Sequence, residues 1–128
     1  MNRRIATGLT LLTGVAIGAT AIQGLHAQAK PPAYVIVAVR KINDAATYKT
    51  GVLDKAAAVI AAAGGHFVIR TDQITSFDGS PPVRFVLIQF DSPEKAQAWH
   101  NSAAMKDIDA ARLKSTDSLS FSVEGMAN

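Results

Sequence analysis

The sequence contains no cysteine. Disulfides, thiolate nucleophiles, cysteine metal ligands and a lipid anchor on a leader cysteine are thereby excluded. Histidine is scarce, with His26, His66 and His100 the only three. Two separated histidines outside the leader, with no acidic cluster beside them, make a poor metal site, and no metal or other cofactor is expected. A haem would need one of these two as its axial ligand, and nothing singles either out. Aromatics are few: one tryptophan, Trp99, and two tyrosines, Tyr34 and Tyr48. No phosphate loop, dinucleotide fingerprint or serine elbow is present.

An excess of charge is also missing from the part expected to fold. The chain carries +3, but Arg3 and Arg4 supply two of its 13 basic residues, leaving 11 against ten acidic ones beyond the leader. No basic patch stands out, so nucleic acid is not an expected partner. Arg3 and Arg4 precede an uncharged run, Ile5 to Ile22, and Ala27-Gln28-Ala29 supplies a small-x-small cleavage pattern. This layout predicts a secretory signal peptide over 1–29, a domain over 30–128, and a periplasmic or secreted location. The alternative is an uncleaved anchor, since Ile5 to Leu25 is just long enough to span a bilayer; membrane attachment follows only in that case. The remainder suffices for one small core.

What is present is a hairpin. Gly64-Gly65 stops a helix, and His66 to Phe77 is rich in β-branched and aromatic residues. Asp78-Gly79-Ser80-Pro81-Pro82 reads as a turn. Val83 to Phe90 is apolar on both faces, as a central strand is. By alternation Phe67 and Ile69 share one face of the first strand, while Val68 and Ile74 share the other with His66 and Arg70. Ahead of the hairpin, Ala33 to Lys41 is a second central strand, and Asn43-Asp44 caps a helix over Ala45 to Ala63. Its buried stripe is Tyr48, Val52, Ala56, Val59, Ile60 and Ala63. Ser92-Pro93-Glu94 starts another helix, with Ala96, Trp99 and His100 on one face. Asn101-Ser102 interrupts it, and Ser102 caps a short helix to about Lys114 with Met105, Ile108 and Ala111 inward. Asp117 to Glu124 alternates, placing Leu119, Phe121 and Val123 in and the serines out.

The order β-α-β-β-α-β, with right-handed crossovers that each skip a strand, predicts an α+β ferredoxin-like plait. Its antiparallel four-stranded sheet has the order 4-1-3-2 and both helices on one face. The other face is then apolar and uncovered over an area that monomers rarely leave exposed. A homodimer through that open face is the expected partner arrangement.

The residues also resemble a family. Tyr34-Val35-Ile36-Val37, Tyr48, Gly64-Gly65-His66-Phe67-Val68-Ile69-Arg70, Pro82-x-Arg84, Ser92-Pro93-Glu94, Trp99-x-x-Ser102 and Val123-Glu124-Gly125 are together similar to the DUF1330 family of unknown function. The resemblance spans about Ala33 to Gly125 and implies membership of the dimeric α/β-barrel superfamily. That superfamily holds cofactor-free monooxygenases, haem enzymes and proteins without known chemistry, so fold does not choose among them. Thr71, His100 and Ala103-Ala104-Met105 depart from the family's usual glycine, aromatic and tyrosine.

A pocket in this fold lies between sheet and helices, and its polar candidates are Tyr48, His66, Arg70, Arg84, Trp99 and His100. Arg70 can hold a carboxylate bidentately or pair with Asp72 at the sheet edge. His66 and His100 can act as acid–base groups or stand exposed. Tyr48 and Trp99 serve the core or touch a ligand. The reading is an exported homodimer that binds a small organic ligand, anionic or neutral, at Arg70, Tyr48, His66, Trp99 and Arg84. Its alternatives are a cofactor-independent oxygenase or isomerase-like enzyme using His66 or His100, and a structural dimer without chemistry.

Overall fold

The computed structural model describes residues 30–127, and Pro31–Met126 form one compact unit. The leader expected over 1–29 lies outside the described residues. Four strands, β1 (Ala33–Ile42), β2 (His66–Thr71), β3 (Arg84–Phe90) and β4 (Thr116–Glu124), form one sheet in the order β2-β3-β1-β4. Every neighbouring pair is antiparallel. This is the expected ferredoxin-like order, read from the opposite edge.

The helices follow their sequence signals. Asp44 caps the first by accepting from Thr47 N at 3.1 Å. That helix runs as α1 (Ala45–Tyr48), a π turn (Lys49–Leu53) and α2 (Asp54–Ala62). The π turn contains Gly51, where a Cβ would come within 2.5 Å of Ala111 Cβ. Glycine is thus required by the close approach of two helices. Gly64, with φ at +85°, ends α2. Ser92 and Ser102 cap α3 (Pro93–His100) and α4 (Ala103–Ser115), accepting from Lys95 N and Met105 N. The Ser115 carbonyl receives the N–H groups of Asn43 and Asp44 at 2.7 and 3.2 Å, tying the end of α4 to the end of β1.

The core lies between the sheet and the helices. Val35, Val39, Val86, Ile88 and Phe90 meet Tyr48, Val52, Ile60, Trp99, Met105 and Ile108, all buried. Among the described residues no helix is long and apolar enough to cross a membrane.

Three expectations are corrected. First, β2 ends at Thr71 rather than Phe77. Thr71 already pairs with Phe85, one residue from the start of β3, so little partner strand remains. Thr71 Oγ1 instead accepts from Gln73 N at 2.9 Å, a local bond that competes with the ladder. Residues 72–83 are consequently a loop, and Phe77 is 94% exposed on it.

Second, β4 is inverted. Val39 and Val37 lie opposite Ser118 and Ser120, so the serines face the helices. Leu119, Phe121 and Val123 face away and are 44–48% exposed. Alternation gives the two rails of an edge strand but not which one points inward. Here Arg112 of α4 fills the space beneath the serines and donates to Ser118 Oγ at 2.6 Å.

Third, the faces of β2 change partway along it. Phe67 pairs with Ile88 and Ile69 with Leu87, which leaves Val68 as an extra residue in a bulge. A bulge shifts the alternation by one. Arg70, paired with Val86, therefore points to the helix side with Phe67, while His66, paired with Gln89, points to the open side. Alternation without the bulge groups Arg70 with His66; the structure separates them.

Candidate functional site

A cavity of about 70 Å³ lies under α1, the π turn, α3 and α4, above β2 and β3. Val52, Ile60, Val86, Ile88, Met105 and Ile108 form its apolar wall. Its polar lining comes from every layer: Tyr48 from α1, Arg70 and Arg84 from the sheet, Trp99 from α3, Asp109 and Arg112 from α4.

The two sheet arginines are placed by register. Arg70 stands opposite Val86, two residues from Arg84 on the same face. Such diagonal neighbours have Cα atoms roughly 7–8 Å apart, within reach of long side chains. Neither arginine has an ion-pair partner among the described residues. The alternative pairing of Arg70 with Asp72 is absent; Asp72 accepts from Gln73 Nε2 at 3.0 Å instead. The Arg70 guanidinium sits 4.6 Å from the centre of the Phe67 ring, a cation–π contact that holds it, although exposed, over the cavity mouth.

Arg84 and Trp99 share an unusual property. Arg84 Nε and Trp99 Nε1 are buried and have no hydrogen-bond partner among the described residues. Buried donors are nearly always satisfied, and leaving one unpaired costs about 1–3 kcal/mol. Two of them line the same cavity. Trp99 is only 5% exposed and is fixed against Phe90, with ring centroids 5.2 Å apart.

The third arginine is internally compensated. Arg112 Nη1 donates to Ser118 Oγ at 2.6 Å, and Nη2 lies 3.5 Å from Asp109 Oδ1. Asp109 Oδ2 is in turn 3.6 Å from His100 Nδ1. Tyr48 is buried, and burial pushes its pKa up; the neighbouring Arg84 and Arg112 guanidinia pull against that shift. Its hydroxyl therefore remains a neutral phenol around neutral pH.

The structure thus brings together Tyr48, Arg70, Arg84 and Trp99 and leaves both histidines outside the cavity. His66 is exposed on the opposite face of the sheet. The His100 side chain is 57% exposed and borders a separate groove of about 270 Å³ beside Ser120 and Ser122. Arg112 and Asp109 are additional lining residues. Arg112 lies four positions after Ile108 and seven after Met105, so the inward stripe of α4 already marked it. No group of three or more potential metal ligands occurs among the described residues. Chemically, the arrangement is a small apolar chamber with two unpartnered donors, one from the sheet and one from α3, and an excess of positive charge in its lining.

The sheet order, the helices on one face and the cavity between them define a ferredoxin-like α+β protein with an interlayer site. Residues 32–126 match the domain of unknown function DUF1330, and the chain belongs to that family. No curated protein matches the chain significantly. Among solved structures, a protein of unknown function from Rhodopseudomonas palustris aligns with a TM-score of 0.62 at 12% identity, over 77% of this chain and 85% of its own. A candidate antibiotic biosynthesis monooxygenase from Caulobacter crescentus CB15 aligns with a TM-score of 0.55 at 19% identity, over 77% and 92%. One from Nitrosomonas europaea gives 0.51 at 16%, over 76% and 91%. At such identities the likeness is one of fold.

Proposed function

We propose that this DUF1330 protein is an exported homodimer that binds a small organic anion in the cavity between sheet and helices. The observation that carries the reading is the pair of buried, unpartnered donors, Arg84 Nε from the sheet and Trp99 Nε1 from α3, on two residues that line the same cavity. Arg84 and Arg70 lie beside each other, and neither is in an ion pair among the described residues; the Asp109 carboxylate of the cavity is taken up by Arg112. Like charges so placed repel, and a bound anion relieves both the repulsion and the missing hydrogen bonds.

Dimerisation is supported by the open face of the sheet. Ile36, Leu87 and Phe121 form one cross-strand row there, and Ala38, Phe85 and Leu119 the next. An apolar face of this kind fits a self-complementary two-fold contact. Export is supported by the Arg3-Arg4 pair, the uncharged run after it and Ala27-Gln28-Ala29. An oxygenase or isomerase reading with His66 or His100 as base gains no support, because neither side chain lines the cavity.

The test is a thermal-shift screen of the purified protein with small organic anions, cations and neutral compounds. Anions should raise the melting temperature, and Arg84→Met should abolish the rise. Stabilisation by neutral or cationic compounds that Arg84→Met leaves intact contradicts the reading.

A further inference from the structure

We infer that the cavity takes a monocarboxylate on a compact apolar body, bound head-inward with its oxygens on Arg84 Nε and Trp99 Nε1. This rests on the anion-binding reading above and adds the headgroup, its orientation and its size.

The headgroup follows from the donor set. The guanidinium and the indole N–H donate and cannot accept. Both buried atoms are therefore satisfied only by an acceptor. Trp99 cannot turn its N–H to solvent, because the ring is buried and packed against Phe90. Two fixed single N–H donors suit a group with two acceptor oxygens in one plane. A neutral carbonyl or alcohol would accept one or both bonds but leave the Arg84 charge uncompensated. Hydrogen bonds to an ionised acceptor are roughly twice as strong.

The surroundings disfavour a phosphate head. A phosphoryl dianion presents three oxygens and is usually cradled by backbone N–H groups. Here Ile60, Val86, Ile88, Met105 and Ile108 make up much of the remaining wall, and the other donors, Tyr48, Arg70 and Ser120, are side chains rather than a cradle of backbone N–H groups. Of the other two cations of the chamber, Arg112 is occupied by Asp109 and Ser118, and Arg70 stands exposed at the mouth.

Volume sets the size. At about 70 Å³ the cavity is smaller than the apolar cavity of about 150 Å³ that accommodates benzene in another protein. The enclosed part therefore takes the carboxylate and the first carbon or two of a short chain. A longer body would leave past Arg70, whose guanidinium over Phe67 marks the mouth.

Trp99 is the only tryptophan in the chain, so its fluorescence reports directly on this wall. The experiment titrates the protein with butyrate, 1-butanol and butyl phosphate, following Trp99 emission. Butyrate should give a saturable change, with 1-butanol at least tenfold weaker and butyl phosphate weaker than butyrate. Arg84→Lys keeps the positive charge but lacks the Nε–H, and should lose butyrate affinity at least tenfold while remaining folded by circular dichroism. Arg84→Met should lose it further. Equal binding of butyrate and 1-butanol overturns the inference. Tight binding of butyl phosphate with none of butyrate overturns it too, but leaves the anion reading standing. No response to any of the three, with calorimetry also silent across the wider anion screen, overturns both.

Discussion

Replacing Arg84 by methionine should stabilise the ligand-free protein. Methionine retains an apolar stem that can lie against Val39, the cross-strand partner of Arg84. It removes the buried Nε, which has no acceptor; an unsatisfied buried donor costs about 1–3 kcal/mol. It also removes a like charge diagonal to Arg70, worth roughly 0.2–1 kcal/mol between facing strands. Arg84 is partly exposed, so the charge contribution belongs at the lower end of that range. Against these stands the loss of a guanidinium beside the Tyr48 hydroxyl, which is worth at most an ordinary hydrogen bond, about 0.5–1.5 kcal/mol. The net expectation is a gain of about 0.5–2 kcal/mol, or a rise of several degrees in Tm for a domain of this size. Urea denaturation at low salt, with the m-value checked for constancy, measures it. A loss of more than about 1 kcal/mol would refute the reasoning. It would mean that Arg84 Nε has an internal acceptor and is not a donor awaiting a ligand.

Gly51→Ala should destabilise by up to about 2 kcal/mol, because overpacking against Ala111 outweighs the helix-propensity gain of roughly 1 kcal/mol. The double variant with Ala111→Gly should return towards wild type in a double-mutant cycle, and simple additivity of the two changes would count against the close approach. Phe121→Asp, on the open face, should convert a dimer into a monomer in size-exclusion chromatography with light scattering; an unchanged mass would place the contact elsewhere. Tyr48 should ionise above the ordinary tyrosine range in an ultraviolet titration, with the difference between wild type and Tyr48→Phe isolating its signal. Because the folded pKa is raised, the fold favours the neutral phenol. That contribution is present below the ordinary tyrosine pKa and fades as pH rises through the folded value.

Most of the fold is legible because local and global signals agree. Asp44, Ser92 and Ser102 each cap the helix expected of them. The two-sided apolar strands are the central ones. The site is less legible, for two physical reasons. A β-bulge is set by pairing geometry, and no residue type in Phe67-Val68-Ile69 announces it. Yet that single extra residue turns Arg70 towards the cavity and leaves His66 on the far face. The serine rail of β4 faces inward, where Arg112 meets Ser118, and alternation alone does not reveal which rail does so. Tyr48, Arg84 and Trp99 lie where the apolar stripes and strand faces put them. Arg112 is read from the sequence only when a basic residue on an apolar helical stripe is taken as a signal in itself.

The most direct measurement is the indole N–H resonance of Trp99 in a 15N-labelled sample, recorded before and after adding butyrate. One tryptophan gives one such peak, so assignment is immediate. An unpartnered N–H that gains a carboxylate should move clearly downfield and exchange more slowly with water, and Arg84→Met should suppress the change. A peak that stays in place at saturating butyrate, while calorimetry detects binding, would put the ligand elsewhere and contradict the assignment of this cavity.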